Sequence, residues 1–404
     1  MCVCVCGIRP GGFRAWKLDR SCLNGMNMGK ARTVLLAGGG TGGHLYPGLA
    51  VAEALKALDP DFKPVFLCTQ RELDRTILGK TVFDFIPQSI VPPVKTIAGL
   101  LRFWKSWRET QDLVRRILKS HQPVFVLGLG GYAAGAAVKI AGRRGVPTGI
   151  LNQDVIPGKA NQFLMRHVKA VFCQYEQTRQ HVSSSNQHRL RMTGCPIRAD
   201  ICHLPTRESA AARLGIDPSL NTLVVTGASQ GAQTVNQAVL ASLKSLRLQG
   251  WQILHLAGKD HAPAVQAGYQ QLSVPARVID FTPAMADVWA VATLAVSRSG
   301  ASSCAELTVC GVPSILMPYP FHKDMHQQAN AKVLEQAGAA VLLDDTRDAA
   351  KNSEILRPLL DTLMYDQTKR QTLADAARRL GRPEAAAEVA AAINEFAAAA
   401  NGLA

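Results

Sequence analysis

Short apolar runs alternate with longer amphipathic segments along most of the chain. The first run, at residues 33–37, precedes a glycine-rich turn and a segment whose apolar residues recur at helical spacing. Similar strand-like runs follow at residues 65–68, 124–127, 149–151 and 170–173. Such alternation of strand and helix is typical of a parallel, doubly wound α/β sheet.

The same rhythm restarts at residues 222–226, again with a glycine turn and a helical segment behind it. Further strand-like runs lie at residues 253–256, 277–279, 294–297, 314–317 and 341–343, and helical patterns near 353–380 and 384–399 follow them. A segment rich in proline and charge, near residues 195–217, separates the two series. We therefore predict two Rossmann-like halves whose strand carboxyl ends face one cleft.

Residues 1–30 differ from the rest because they show neither strand nor helix periodicity. Met26 and Met28 lie just before the first strand, so we expect this leader to be a misassigned start or a disordered tail. Cys2, Cys4 and Cys6 leave metal binding open as an alternative, although structural zinc sites prefer C-x₂₋₄-C pairs. Six further cysteines lie in apolar or glycine-rich surroundings, which is typical of buried thiols in a reducing compartment; they are Cys68, Cys173, Cys195, Cys202, Cys304 and Cys310.

The chain is strongly basic. Its 404 residues include 45 Lys and Arg against 30 Asp and Glu, a formal net charge of +15. This excess indicates an anionic partner, which can be a nucleic acid, an acidic membrane surface or a phosphorylated substrate. Nucleic acid is the weakest of the three because no recognised nucleic-acid motif accompanies the charge. No segment has the roughly 20 apolar residues of a membrane span, which predicts a cytosolic or peripheral protein.

The first glycine turn has the sequence GGGTGGH at residues 38–44. It matches the dinucleotide pattern G-x-G-x-x-G, but the next predicted strand ends without the acidic residue that a dinucleotide ribose requires. Its glycines would still let backbone N–H groups approach a phosphate at a helix N-terminus. His44 is a candidate general base beside that phosphate, and a helix-capping role is the alternative.

Three further glycine turns follow predicted strands, at residues 128–135, 227–232 and 297–301. Two turns in each half predict two anionic ligands, or one large and one small, that meet between the domains. Arg198 would add a fixed charge from the junction. Glu306 is placed to accept hydrogen bonds from a ribose diol, or else to favour the first turn of a helix. His326 and Gln327 offer polar groups for sugar hydroxyls.

Neither a metal ion nor a cofactor is predicted. The one D-x-D sequence, at residues 59–61, follows a helix and so lies on the wrong side of the sheet for the cleft. Helix N-termini and arginine would then have to stabilise a departing nucleoside diphosphate.

A basic segment at residues 95–119 contains Trp104 and Trp107 among apolar and cationic positions. This composition suits a helix that lies in a membrane interface. An ordinary helix packed on the sheet is the alternative.

Taken together, these motifs resemble the MurG family. The resemblance rests on GGTGGHxxPGLA at residues 39–50, GxGGY at 128–132, GxPxR at 194–198, GxSQGA at 227–232, RSGA at 298–301 with Glu306, and HQxxNA at 326–331. It extends over residues 31–400 and implies a GT-B fold and an inverting, metal-independent glycosyltransferase. Such an enzyme transfers N-acetylglucosamine from UDP-N-acetylglucosamine to the muramic 4-hydroxyl of lipid I, forming lipid II at the cytoplasmic face of the inner membrane.

The resemblance also implies domain limits and residue roles. Residues 31–197 with the returning helix 384–400 would bind acceptor and membrane, and residues 198–383 would bind the UDP-sugar. The catalytic base would be His44, acting on the muramic 4-hydroxyl. The implied substrate-binding residues are Thr41, Gly42, Gly43, Gly131, Tyr132, Asp154, Asn161, Arg198, Ser229, Gln230, Gly231, Thr282, Met285, Ser299, Gly300, Ala301, Ser302, Ser303, Cys304, Ala305, Glu306, His326 and Gln327.

One loop departs from the family pattern. The family usually carries Glu-Gln-Asn where this chain has Asn152, Gln153 and Asp154, a change that bears on acceptor recognition. The alternatives are another GT-B transferase that adds a sugar to a lipid such as diacylglycerol, a NAD-dependent dehydrogenase, and a non-catalytic scaffold. The expected partners are UDP-N-acetylglucosamine, lipid I, an anionic membrane surface and cell-wall synthesis proteins, without nucleic acid.

Overall fold

A computed structural model of the 404-residue chain describes residues 31–227, 231–272, 274–321 and 324–400. Two sequence-based expectations therefore lie outside the described residues, namely the leader at residues 1–30 with its four cysteines, and the contacts of Ser229 and Gln230.

The first sheet contains seven parallel strands within the described ranges, in the order β3-β2-β1-β4-β5-β6-β7. Its strands are β1 (Arg32–Ala37), β2 (Phe62–Thr69), β3 (Asp84–Gln88), β4 (Phe125–Gly128), β5 (Thr148–Asn152), β6 (Ala170–Cys173) and β7 (Leu190–Met192). The strand order reverses between β1 and β4, which makes the loops at their carboxyl ends a natural binding crevice.

Helices cover both faces of this sheet. They are α1 (Gly42–Leu58), α2 (Glu72–Leu78), α3 (Ile97–His121), α4 (Gly135–Arg143), α5 (Lys159–Leu164) and α6 (Ser184–Gln187), with 3₁₀ turns at Tyr132–Ala134, Met165–His167 and Glu176–His181. Leu35 faces the core beneath α3 and α4, whereas Leu36 faces the core beneath α1. Both faces are buried, which explains the nearly continuous apolar character of the central strands.

The second sheet has six parallel strands in the described part of the chain, in the order β10-β9-β8-β11-β12-β13. Its strands are β8 (Asn221–Thr226), β9 (Trp251–Leu256), β10 (Ala276–Ile279), β11 (Leu294–Ser297), β12 (Ser314–Leu316) and β13 (Val341–Leu342). The reversal falls between β8 and β11, so this half repeats the topology of the first.

The helices that accompany the second sheet begin at the junction. They are α7 (Ala199–Cys202), α8 (Arg207–Leu214), α9 (Gln233–Leu243), α10 (Ala262–Gln270), α11 (Met285–Val291), α12 (Ala301–Cys310), α13 (His326–Gln336), α14 (Ala349–Tyr365), α15 (Gln367–Leu380) and α16 (Ala385–Ala400). The helical pattern near 353–380 is thus two helices, and the side chain of Asp366 caps the second by accepting from the Lys369 N–H at 2.9 Å.

The final helix, α16, packs against α1 on the first sheet. Val389 and Ile393 are fully buried in the same cluster as Leu45 and Leu36. The chain therefore returns to its first half after completing the second. The exact domain limits stay a prediction.

Strands β3 and β7 were not predicted from the sequence. Strand β3 contains Pro87 and is only partly buried, so it lacks the apolar run of a central strand. Strand β7 has only three residues at the opposite edge. Both are edge strands, whose sequences are under little pressure to be continuously apolar.

Candidate functional site

A cavity of ≈ 410 Å³ lies between the two halves. It is lined by the loops that follow strands of both sheets, including Thr41 after β1, Asp154 after β5, Thr226 at the end of β8 and Gly300 after β11. The predicted residues in its lining are Thr41, Gly42, Gly43, His44, Asp154, Arg198, Thr282, Met285, Gly300, Ala301, Ser302, Ser303, Glu306, His326 and Gln327. Residues more than 250 positions apart therefore share one cleft.

His44 lies in the first turn of α1. Its Nδ1 is 3.1 Å from Oγ1 of Thr41 and 3.4 Å from the carbonyl oxygen of Gly39. Burial lowers the pKa of this imidazole below its usual value, although Asp154 and Asp74 oppose the shift. A proton on Nδ1 would leave Nε2 as a neutral acceptor, the form that a general base requires.

The second glycine turn accommodates the His44 ring. A Cβ atom at Gly130 would lie 2.9 Å from the ring's Cδ2, and one at Gly131 would lie 3.0 Å from Cε1. Both glycines also have positive φ angles, +111° and +69°. Gly131 thus lies beside His44, outside the cavity lining, whereas the hydroxyl of the adjacent Tyr132 would lie 3.7 Å from a Cβ atom at Gly40.

Glu306 occupies the second turn of α12, because the helix begins at Ala301. The alternative that it favours the first turn of a helix is therefore wrong. Its Oε2 accepts a hydrogen bond from Nε1 of Trp289 at 2.8 Å. Burial raises the pKa of Glu306 to about 7, although the Trp289 hydrogen bond and the charge of Arg198 oppose this. The carboxyl group faces the cavity and titrates near neutrality.

Arg198 brings positive charge to the same cavity. Its guanidinium lies 5.1 Å from the centre of the Tyr46 ring, and its Nε is 3.5 Å from Oδ1 of Asp200. The amino end of α12, from Gly300 to Ser303, also lines the cavity. An arginine and a helix N-terminus are both suited to bind a diphosphate.

Three predicted residues near α12 point away from the cavity. Ser299 is fully buried, and its Oγ donates to the carbonyl oxygen of Gln327 at 2.8 Å. Cys304 and Ala305 are buried in the core of the second half. The periodicity of α12 directs Cys304 and Ala305 toward the core, whereas Ser302 and Ser303 face the cavity.

The loop that departs from the family pattern joins the two halves. Asp154 Oδ1 accepts from Nδ2 of Asn330 at 2.8 Å, and the Val155 N–H donates to Oδ1 of Asn330 at 3.0 Å. Asn161 lies behind this loop, where its Nδ2 donates to the carbonyl oxygen of Leu151 and to Oδ1 of Asn152. Asp154 therefore faces the cavity, and Asn161 supports the loop.

Gly231 closes the third glycine turn outside the cavity lining. Its φ is +72°, and a Cβ atom there would lie 2.1 Å from the Ala257 carbonyl oxygen.

The sequence analysis did not assign several lining residues to the site, since their side chains resemble those of ordinary core or turn positions. These are Tyr46, Gln153, Thr226, Leu256, Asp280, Pro283 and Trp289.

Asp74 is a further residue that the sequence analysis missed. It is fully buried in the first turn of α2, where it holds the first glycine turn through hydrogen bonds. In the sequence, Asp74 stands four residues after Gln70, beyond the strand end at which a dinucleotide-binding acid is expected.

Within the described ranges, no group of three or more His, Cys, Asp or Glu residues is arranged to hold a metal ion. Likewise, none of the helices in the described part of the chain is both long and apolar enough to cross a membrane.

Comparison with known proteins identifies two family domains. Residues 34–173 match the glycosyltransferase family 28 N-terminal domain, and residues 222–391 match the C-terminal domain of that family. A protein of Desulforamulus reducens is 32% identical over 378 residues, covering 88% of this chain and 96% of that protein. A protein of Desulfitobacterium hafniense is 34% identical over 365 residues, covering 87% and 96%. Both are named UDP-N-acetylglucosamine–N-acetylmuramyl-(pentapeptide) pyrophosphoryl-undecaprenol N-acetylglucosamine transferase.

Solved structures confirm the predicted GT-B fold. The crystal structure of Acinetobacter baumannii MurG matches with a TM-score of 0.69 at 24% identity, covering 90% of this chain and 99% of that one. The Staphylococcus aureus MnaA–UDP structure matches with a TM-score of 0.67 at 11% identity, covering 92% and 97%. The two family domains match most of the chain, and the relatives align with it over nearly their whole length. Together with the structural matches, these findings show that the chain belongs to the MurG family of family 28 glycosyltransferases.

Proposed function

We propose that this chain transfers N-acetylglucosamine from UDP-N-acetylglucosamine to the 4-hydroxyl of the muramic acid of lipid I, with inversion and without a metal ion. One observation carries the proposal: His44 from the first half and Glu306 from the second line the same cavity. The proposed general base and the proposed hydrogen-bond acceptor for the ribose thus lie in one cavity, where the two substrates would meet. The names of the relatives support this choice of donor and acceptor.

The donor would bind chiefly to the second half. Glu306 would accept from the ribose hydroxyls, and the backbone near Phe281 and Thr282 would contact the uracil. Arg198 and the amino end of α12 would hold the diphosphate, together with the third glycine turn and its Ser229, Gln230 and Gly231. Gln327 and Ala301 would contact the sugar, where the side chain of Gln327 already accepts from the Tyr319 N–H at 2.9 Å.

The acceptor diphosphate would lie at the amino end of α1, against the N–H groups of Thr41, Gly42 and Gly43. As the 4-hydroxyl oxygen attacks the anomeric carbon, its proton would pass to Nε2 of His44. The bond from the anomeric carbon to the diphosphate oxygen breaks, and UDP departs with the electron pair. Arg198 and the α12 dipole would stabilise the charge that develops on this leaving group.

The decisive experiment uses purified protein, sugar-labelled UDP-N-acetylglucosamine and lipid I in detergent. We expect label to appear in lipid II, and calorimetry to detect donor binding. Transfer to diacylglycerol but not to lipid I would instead favour the other GT-B transferase. Donor binding without transfer to either lipid would favour a non-catalytic scaffold.

Membrane association is a second part of this proposal, and helix α3 supports it. Ile97 is 82% exposed, Leu101 66% and Trp104 58%, whereas Val114 and Ile117 near its carboxyl end are buried. The amino half of α3 thus presents apolar side chains to solvent, and the carboxyl half packs on the sheet. Each of the two interpretations of this segment fits one half of the helix.

Trp107 differs from Trp104 because it packs on α4. A Cβ atom at Gly135 would lie 3.2 Å from its Cη2 and Cζ3. Cations alternate with these apolar side chains along the amino half of α3, where Arg102, Lys105 and Arg108 are all exposed. Apolar side chains interleaved with cations suit the interface of an anionic membrane.

Vesicle flotation tests this part. The double variant Leu101→Ala with Trp104→Ala should lose most binding to vesicles that contain phosphatidylglycerol, while donor binding in solution stays unchanged. Ile355→Ala removes an apolar side chain of similar exposure, 46%, from the second half and is the matched control. Equal flotation of the double variant and the control would contradict membrane docking through α3. We place the protein peripherally at the cytoplasmic face of the inner membrane; association with cell-wall synthesis proteins remains a prediction.

A further inference from the structure

Asp74 lies outside the cavity, yet it is among the most completely satisfied carboxylates in the first half. It is fully buried in the first turn of α2. Both of its oxygens accept from the Gly40 N–H, at 2.8 and 2.9 Å, and Oδ2 also accepts from the N–H and Oγ1 of Thr69, at 2.8 and 2.7 Å. A buried charge of this kind is stable only because these donors surround it.

The carboxylate of Asp74 packs directly against the backbone of the first glycine turn, at a position where only glycine fits. A Cβ atom at Gly39 would lie 2.2 Å from Oδ2 of Asp74. On the other side of the Gly40 residue, the carbonyl oxygen accepts from Nη1 of Arg71 at 2.9 Å. Both backbone groups of Gly40 are therefore held by the start of α2.

This arrangement changes which N–H groups can meet an acceptor phosphate. The Gly40 N–H is already used by Asp74, so it cannot serve that purpose. The first N–H groups of a helix lack intrahelical partners, and the N-cap residue of α1, Thr41, makes no side-chain capping hydrogen bond. The N–H groups of Gly42 and Gly43, two residues that line the cavity, thus remain available to a bound anion.

The same turn also positions the base. The carbonyl oxygen of Gly39 and the hydroxyl of Thr41 are the two groups near Nδ1 of His44. Any shift of the turn moves both partners of the imidazole together with the start of α1. The orientation of His44 therefore depends on the carboxylate behind the turn.

We propose that Asp74 is a positioning residue for the acceptor, an internal anion that folds the first glycine turn so that the N–H groups of Gly42 and Gly43 and the ring of His44 are in place before the diphosphate of lipid I arrives. The inference rests on the proposed acceptor site at the start of α1. It assigns to Asp74 no contact with substrate.

The test compares four variants in steady-state transfer assays with lipid I. Asp74→Asn removes the charge and turns one oxygen into a donor that faces the Gly40 N–H, and we expect the KM for lipid I to rise about tenfold, with a fall in kcat. Asp74→Glu keeps both acceptor oxygens and should lose less. Donor affinity by calorimetry should not change in either, because the donor binds to the other half.

Two variants serve as controls. Asp59→Asn removes a carboxylate that pairs with Arg32 at 3.0 Å, in the turn after α1 and away from the cleft, and should leave both KM values unchanged. Gly43→Ala adds a methyl group that meets only Oγ1 of Thr41, at 4.0 Å, so it tests the acceptor site without disturbing the fold.

The outcomes separate the two ideas. If Gly43→Ala raises the KM for lipid I and the Asp74 variants do not, the acceptor site stands and the positioning role is overturned. If neither affects that KM, the acceptor site itself is misplaced and the inference fails with it. If Asp74→Asn fails to fold, Asp74→Glu decides: a KM for lipid I equal to that of the Asp59→Asn control overturns the proposal.

Discussion

Glu306 offers a quantitative test of the donor site because its pKa is displaced into the working range. Burial raises that pKa from 4.5 to about 7, so the carboxyl group of the free protein should be about nine-tenths ionised at pH 8 and about one-tenth ionised at pH 6. A ribose diol donates hydrogen bonds, so it prefers the ionised form with its full set of acceptors.

If donor binding requires the ionised form, the Kd for UDP-N-acetylglucosamine should rise about tenfold between pH 8 and pH 6. The sign follows from the raised pKa, because lowering the pH through 7 converts the acceptor into a protonated group. Calorimetry at several pH values measures the dependence directly. UDP-N-acetylglucosamine is a better ligand than UDP for this purpose, since its diphosphate has no terminal phosphate group to titrate.

Two variants make the reasoning refutable. Glu306→Gln cannot titrate and should bind the donor more weakly at pH 8, with a Kd that is flat across the range. Trp289→Phe removes the indole N–H that donates to Glu306 and so should shift the midpoint to higher pH. A flat Kd in the unaltered protein, or a slope retained in Glu306→Gln, would show that Glu306 does not control donor binding.

Three other changes probe the fold and the base. His44→Ala should lower turnover about 10²- to 10⁴-fold with donor affinity unchanged, and equal losses in both would indicate a collapsed site. Gly130→Ala places a methyl group 2.9 Å from the His44 ring at a φ of +111°, so it should lower turnover and cost about 1–3 kcal/mol in thermal unfolding. Ile393→Ala should cost about 2–5 kcal/mol in denaturant unfolding, and an unchanged midpoint would contradict the packing of α16 on the first sheet.

Much of the fold could be predicted from local patterns. The apolar runs located the central strands, because strands covered by helices on both faces must be apolar along their length. The edge strands β3 and β7 could not be found this way, since Pro87 and short length erase the signal at positions where burial makes few demands. The break at Asp366 was hidden because the apolar periodicity of α14 and α15 runs on past a single capping residue.

The candidate site was only partly predictable. Glycine turns and polar residues at strand ends identified most of the cavity lining, because parallel sheets collect those ends at one edge. Ser299 precedes the lining residue Gly300 and Asn161 follows Asp154 by seven positions, but the side chains of Ser299 and Asn161 donate to backbone carbonyl groups instead. Whether a given side chain faces the cleft depends on its position around the helix and on its hydrogen-bond partners. Neither of these can be inferred from residue spacing alone.

Local patterns along the chain are enough to predict two parallel α/β halves, a glycine turn near the start of each, and candidate roles for His44 and Glu306. Only the folded chain shows that these two residues share a cavity, that Asp74 accepts from the Gly40 N–H, and that Trp104 is exposed while Trp107 packs on α4. The difference arises from the distance along the chain over which each effect acts. Strand and turn preferences act over a few residues, whereas burial, pKa shifts and carboxylate hydrogen bonding depend on atoms that only folding brings together.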